Sequence, residues 1–264
     1  MSAVLETRGL VKRFGGLAAV DGVDFHLAST GRLHAIIGPN GAGKTTFFNL
    51  VSGRLKPTEG AVFFRGRDIT GMKPHRIARL GMTRTLQIKS VFGALTVSEN
   101  IAIAAQAKDA GFHPFKPASR FTAVTEKVDR IIDQLGLDAI ANRQAATLSY
   151  GDVALLEMGM ALAADPELLL LDEPICGMSP LETKRTVETI VDLSKTVNVI
   201  LIEHDMEVVF DIADDITVMS LGRILKQGTP AEIANDEDVR EAYLGHDEDD
   251  DDDTPAAPMG AAHA

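Results

Sequence analysis

Residues 33–51 read LHAIIGPNGAGKTTFFNLV, and the fold turns on how this stretch is read. Leu33 to Ile37 (LHAII) is a more continuous apolar run than the strands before it and suggests a buried strand. Gly38, Pro39, Asn40, Gly41, Ala42, Gly43, Lys44 and Thr45 then satisfy G-x-x-x-x-G-K-[ST], and a helix is predicted to open near Lys44. Strand, glycine loop and helix in that order are the context in which such a loop binds phosphate. The glycines let successive backbone N–H groups turn toward an anion with no Cβ in the way, and the positive end of the helix points at it. Lys44 would reach the β- and γ-phosphates as a point charge, Thr45 would offer its hydroxyl to Mg2+, and Thr46 completes the set at the helix start.

A second signal lies downstream, where Leu168 to Glu173 reads LLLLDE, an apolar strand ending in two acids. At the carboxyl edge of a parallel sheet, Asp172 would lie beside the Mg2+ and Glu173 one step nearer the γ-phosphate, where it polarises an attacking water. After Ala164 the chain alternates: a helix over Leu181–Leu193, a strand over Val197–Ile202, a helix over Met206–Ala213, and a hairpin of Ile216–Met219 with Arg223–Lys226. That alternation predicts an α/β fold with a mainly parallel sheet covered on both faces. Upstream, Val4–Leu10 and Val23–Leu27 alternate apolar and polar residues, and Ala61–Phe64 with Arg67–Ile69 reads as a hairpin. From about residue 90 the spacing becomes helical, starting at the capping box Thr96-Val97-Ser98-Glu99. It resumes over Phe121–Leu135 after a loop, Asp109–Arg120, that carries two prolines and a glycine, and Val153–Ala163 reads as a further helix.

The 264 residues are 45% hydrophobic and 24% charged, enough apolar matter for one large domain or two intimate small ones, which excludes wholesale disorder. The net charge of −12 is uneven, because DEDDDDD after His246 holds seven of the 38 acids; without it 31 acids face 26 bases, about −5. Residues 246–264 therefore read as an acidic disordered tail. An acidic body with no Lys/Arg cluster argues against nucleic acid as a partner. No apolar run approaches the roughly 18 residues of a membrane span, and the opening MSAVLETRGLVKRFGG lacks the basic and apolar regions of a leader. A single cysteine, Cys176, makes no internal disulfide, so a reducing cytoplasm is the expected setting.

A third motif joins the phosphate loop and the acidic strand end. Leu148-Ser149-Tyr150-Gly151-Asp152 precedes that strand by about twenty residues and opens a predicted helix. Together with Gln87 in TRTLQ, His204 in LIEHDM and Phe14 in KRFGG, the ordered set resembles the ATP-binding subunit of an ABC transporter over residues 3 to about 245. The resemblance implies a P-loop NTPase (RecA-like) core with an antiparallel β subdomain and a helical insertion subdomain. The ATP-binding domain would cover residues 1–245, with its helical part at about 90–164 and the tail at 246–264.

ATP and Mg2+ are the implied ligands. Phe14 would stack on adenine, the loop residues from Gly38 to Thr46 would hold the phosphates, and Thr45, Gln87 and Asp172 would attend the metal. Glu173, His204 and Gln87 would serve hydrolysis. Ser149 and the Gly151 N–H would bind the γ-phosphate held by a second ATP-binding subunit, so that ATP closes a head-to-tail dimer and hydrolysis reopens it.

Within the family, KRFGGLAAV, TRTLQ, LSYG, DEP followed by GMSP, IEHDM and GTPAEIANDEDVREAYLG are similar to the branched-chain amino-acid transport subgroup. That subgroup also serves urea and aromatic or other small acids. The implied partners are integral membrane permease subunits, met by the section near Gln87 to Asn100 with Val91, Phe92 and Leu95, a second ATP-binding subunit, and indirectly an extracytoplasmic solute-binding protein. The implied location is the cytoplasmic face of the plasma membrane. Soluble ABC-type ATPases of DNA repair or translation fit less well, since they need a tandem ATPase domain or a long coiled-coil insertion.

Three departures from the family pattern stand out. Asp152 replaces a common Gln and is followed by Val153, Ala154 and Leu155; GMSP lacks a closing Asp; and Leu86 stands where Phe is frequent. A carboxylate beside a γ-phosphate is unfavourable unless it points away. A nucleotide-binding subunit with an impaired composite ATPase site is therefore the alternative reading.

Overall fold

A computed structural model describes residues 3–28, 32–85, 91–109 and 122–244. The chain begins with a hairpin of β1 (Leu5–Phe14) and β2 (Leu17–Leu27), then runs through β3 (Leu33–Ile37), α1 (Lys44–Val51), β4 (Glu59–Phe64), β5 (Arg67–Asp68), α2 (Pro74–Leu80) and β6 (Met82–Arg84). A helical section follows, with α3 (Val97–Asp109), α4 (Thr122–Gln134) and α5 (Tyr150–Leu162). The alternation then resumes: β7 (Leu168–Asp172), α6 (Pro180–Ser194), β8 (Asn198–Ile202), α7 (Met206–Ile212), β9 (Asp215–Ser220), β10 (Arg223–Gly228), α8 (Pro230–Ala234) and α9 (Glu237–Leu244).

Among the described residues the strands form two sheets. The larger has the order β10-β9-β3-β8-β7-β6, parallel throughout except for the β9–β10 hairpin, and the smaller is antiparallel in the order β2-β1-β4-β5. The expected mainly parallel sheet and the antiparallel subdomain are both present. The first hairpin reaches further than its alternation pattern indicates, to Phe14 and Leu17. Register shifts between Thr7, Leu10, Lys12 and Arg13 break the period of two that the sequence reading relied on.

Burial explains why β3, β7 and β8 are mostly apolar; His34, inside β3, is buried and meets Thr217 Oγ1 at 2.7 Å through its Nε2. Leu169 and Leu171 face a cluster shared with the helical section, α6 and α7, whereas Leu168 and Leu170 face one shared with α1 and the antiparallel sheet. All four are fully buried, and each such side chain stabilises by about 1.5–3 kcal/mol relative to exposure. A strand with two covered faces leaves no position for a polar residue that lacks a partner.

The helical section docks onto the first of those clusters through Val97, Ile101 and Ala105 of α3, Val128, Ile131 and Ile132 of α4, and Leu155, Leu156 and Met158 of α5. Its expected start is a reciprocal capping box: Thr96 Oγ1 accepts the Glu99 N–H at 3.2 Å and Glu99 Oε2 accepts the Thr96 N–H at 2.8 Å. Most of the expected loop Asp109–Arg120 and all of the tail 246–264 lie outside the described residues. Among the described residues no helix is long and apolar enough to cross a membrane.

Candidate functional site

The carboxyl ends of β3, β7 and β8 are neighbours in one sheet, so the loops that follow them meet at its edge. After β3, the glycine loop folds back on itself. A Cβ on Gly38 would stand 2.1 Å from the Met219 carbonyl oxygen and one on Gly43, at φ 97°, 2.3 Å from that of Ala19. Only glycine fits at these two points, which hold the loop against β9 and β2 with its amide groups free of side chains.

Lys44 is buried, and its Nζ donates to the carbonyl oxygens of Gly38 at 2.5 Å and Pro39 at 3.0 Å. Burial lowers its pKa, and the charges of Glu173 and Asp172 oppose that shift. The ammonium is thus folded over the loop, beside the two acids of β7. Thr45 is exposed at the start of α1 and Thr46 is half-buried.

Asp172, at the end of β7, is fully buried at its side chain and ion-paired through Oδ2 to Arg84 Nη2 at 2.6 Å. Arg84, on β6, also donates from Nη1 to Asn49 Oδ1 at 2.8 Å and to Ser52 Oγ at 3.1 Å, tying the pair to α1 and its C-cap. Asp172 Oδ1 has no hydrogen-bond partner among the described residues. An ionised oxygen left over in a buried carboxylate suits a hydrated cation, so the donor set of Asp172 and Thr45 fits the Mg2+ expected there. Arg84 was not among the residues the sequence singled out. Its only signal was a cation in a strand next to the phosphate loop's helix.

Glu173 occupies the left-handed region at φ 51°, uncommon for a residue with a side chain. Its N–H donates to the Ile202 carbonyl oxygen at 2.9 Å, and its Oε1 lies 2.8 Å from His204 Nε2. The two residues expected to serve hydrolysis are therefore in direct contact, although 31 positions separate them. Between them in the structure is Glu203, also overlooked in the sequence. It is 4% exposed, and its pKa is raised to about 7 from the usual 4.5, chiefly by burial. The native state keeps that proton where the unfolded chain has released it, so the group's stabilising contribution is complete below about 4.5 and lost as pH rises through about 7.

The helix carrying the third motif opens one residue after Ser149, earlier than the predicted Val153, with Ser149 as its N-cap. Gly151 N–H donates to Glu182 Oε1 at 3.3 Å, and Glu182 also accepts from the Ser149 hydroxyl. Together with the hydroxyl and N–H of Ser179, these donors hold the Glu182 carboxyl down at about 2. A Cβ on Gly151 would stand 2.9 Å from that of Glu182, which accounts for the glycine. Within the single chain, the partners of Ser149 and Gly151 thus come from α6 and not from the glycine loop.

Asp152 is ion-paired to the same helix: its Oδ1 lies 2.9 Å from Arg185 Nη1, one turn along α6 from Glu182. The electrostatic difficulty expected of Asp152 is met by that pairing. An ion pair half open to solvent is worth about 0–1 kcal/mol, so Asp152→Gln is expected to change ATPase turnover less than about twofold. A large gain in steady-state rate would instead identify Asp152 as a brake.

Phe14 is 49% exposed at the tip of the first hairpin, with Lys12 Nζ 5.2 Å from its ring centroid. Of the residues expected to meet a permease, Phe92 is exposed, while Val91 and Leu95 are partly buried. Gln87 and Leu86 lie outside the described residues.

Residues 20–176 match the family described as ABC transporter, and residues 227–249 that described as branched-chain amino acid ATP-binding cassette transporter. The chain is 43% identical over 250 residues to the high-affinity branched-chain amino acid transport ATP-binding protein LivG of Salmonella typhimurium, covering 92% of this chain and 98% of that protein. To the corresponding protein BraF of Pseudomonas aeruginosa it is 40% identical over 250 residues, with the same coverage of 92% and 98%. Among solved structures, the ADP conformation of an ATP-binding cassette of an ABC transporter is similar at TM-score 0.81 and 31% identity, covering 93% of this chain and 100% of that one.

Proposed function

The chain belongs to the ABC transporter family, and on that footing we propose that it is the ATP-hydrolysing subunit of an importer for branched-chain amino acids, energising uptake by ATP-driven closure of a dimer. It is an ATPase of the ABC type. The observation that carries the catalytic part of the reading is the convergence of Lys44, Asp172 and the Glu173–His204 contact at one sheet edge.

In this reading Lys44 leaves the carbonyl groups of Gly38 and Pro39 for the β- and γ-phosphates, while the loop N–H groups surround them. Thr45, Asp172 and Gln87 would hold Mg2+, which when bound neutralises phosphate charge. Glu173 takes the proton of the attacking water, and His204 holds the Glu173 carboxylate in place by its Nε2 contact. Phe14 stacks on the adenine. Ser149 and Gly151 receive the γ-phosphate held by the second subunit, and that phosphate displaces Glu182 from the same two donors. ATP then favours the closed dimer because the Ser149–Gly151 motif binds it only there.

The substrate rests on the relatives whose names specify branched-chain amino acids. Permease subunits contacted near Phe92, a second ATP-binding subunit, a solute-binding protein outside the membrane and peripheral attachment at the cytoplasmic face complete the proposal. Uptake of labelled leucine, urea and aromatic acids in a strain lacking this chain tests it. Selective loss of leucine uptake is the expected result, and loss of urea or aromatic-acid uptake alone would reassign the solute.

A further inference from the structure

Two chain segments must keep a fixed separation for the proposed hydrolysis: the turn after β7, which presents Glu173, and the turn after β8, which presents His204. The first is strained, because Glu173 sits at φ 51°. Strain of this kind persists only where neighbouring groups determine the conformation. One tie is the Glu173 N–H to the Ile202 carbonyl oxygen at 2.9 Å. The other runs through a side chain. Glu203 Oε1 accepts the N–H of Ile175 at 3.0 Å, and Glu203 Oε2 accepts the N–H of His204 at 3.2 Å.

We propose that Glu203 is a positioning residue for ATP hydrolysis: its buried carboxylate clamps the Glu173 turn to the His204 turn by accepting one backbone N–H from each. The proposal rests on the roles given above to Glu173 and His204. A carboxylate suits the task because it presents two acceptor oxygens and no donor when ionised. Glutamine at the same place would turn an NH2 group toward one of the two N–H donors. The groups facing Glu203 sharpen the requirement, since the carboxylates of Glu173 and Asp205 both oppose its ionisation, while the two N–H groups favour it. His204 stands beside it with its ring on Glu173.

The clamp therefore engages fully as Glu203 ionises, through about pH 7. Below that pH one oxygen carries a proton and one N–H loses its acceptor, so kcat is expected to rise with pH across this range. Glu203→Gln holds the neutral state at every pH. In the full-length chain it is expected to lower kcat at alkaline pH by about 10- to 100-fold, the scale of a small misplacement of reacting groups. Affinity for a fluorescent ATP analogue should change less than about threefold, because the hydrogen bonds of Glu203 go to the backbone of Ile175 and His204 and not to the phosphate loop. The rise of kcat centred near pH 7 should disappear.

Thermal unfolding of both proteins establishes that the variant is folded. Wild-type kcat together with a wild-type pH profile overturns the clamp, and so does a parallel loss of kcat, nucleotide binding and melting temperature, which would make Glu203 a support of the fold alone. Glu173→Gln is assayed alongside. If it is inactive while Glu203→Gln behaves as wild type, only the clamp fails. If it turns over normally, the catalytic reading and the clamp fall together.

Discussion

Replacing Glu173 by glutamine is expected to lower kcat for ATP hydrolysis by about 10²–10⁴-fold, the usual contribution of a positioned general base. Nucleotide affinity should be unchanged. The substitution keeps the size of the side chain and an oxygen for the His204 Nε2 contact at 2.8 Å, but it removes the capacity to take a proton. The phosphate loop, Lys44 and Asp172 are untouched, so ATP still binds. With binding intact and turnover gone, ATP should hold two copies of the ATP-binding fold closed, and a stable ATP-dependent dimer should appear in sedimentation or size-exclusion experiments. Turnover at the wild-type rate would remove Glu173 from the reaction.

Arg84→Met is expected to cost about 3–5 kcal/mol of stability, the penalty for leaving one partner of a buried ion pair uncompensated. The side chains involved are 7% and 0% exposed, so solvent offers little relief to the Asp172 carboxylate left behind. Burial already pulls the Arg84 pKa down, and Asp172 opposes that shift, as expected for a guanidinium neutralised by that carboxylate. Asn49 and Ser52 lose a donor at the same time. Denaturant unfolding of the nucleotide-free chain measures the loss, and the Arg84→Met, Asp172→Asn double variant should recover a large part of it. A loss below about 1 kcal/mol would place the pair among those that contribute little.

These two predictions differ in how far ahead of the structure they were readable. Glu173 was legible because it follows an apolar strand directly and its meaning is local: a buried strand must surface at its end, and the acids there meet whatever the neighbouring loop binds. The same holds for the phosphate loop, where strand, glycines and helix are contiguous, and for the Thr96 capping box. Arg84 was not legible. It lies 88 positions from Asp172, and only the parallel pairing of β6 with β7 brings them together. The roles of Glu182 and Glu203 were hidden for the same reason: beside their near neighbours Ser179 and His204, each holds a group of the site 31 and 28 residues away, respectively.

The sequence by itself determined the P-loop NTPase core and the residues proposed to meet nucleotide, because strand burial, glycine loops and helix starts are properties of short contiguous segments. The tertiary structure alone decided which charges are paired and which are free. It joined Arg84 to Asp172, turned Asp152 toward Arg185, laid Glu182 on the donors of Ser149 and Gly151, and put Glu203 between the turns of Glu173 and His204. Those pairings depend on the lateral order of strands and on helix packing, and no local pattern records either, because side chains far apart in sequence become neighbours only when a sheet has closed around a common core.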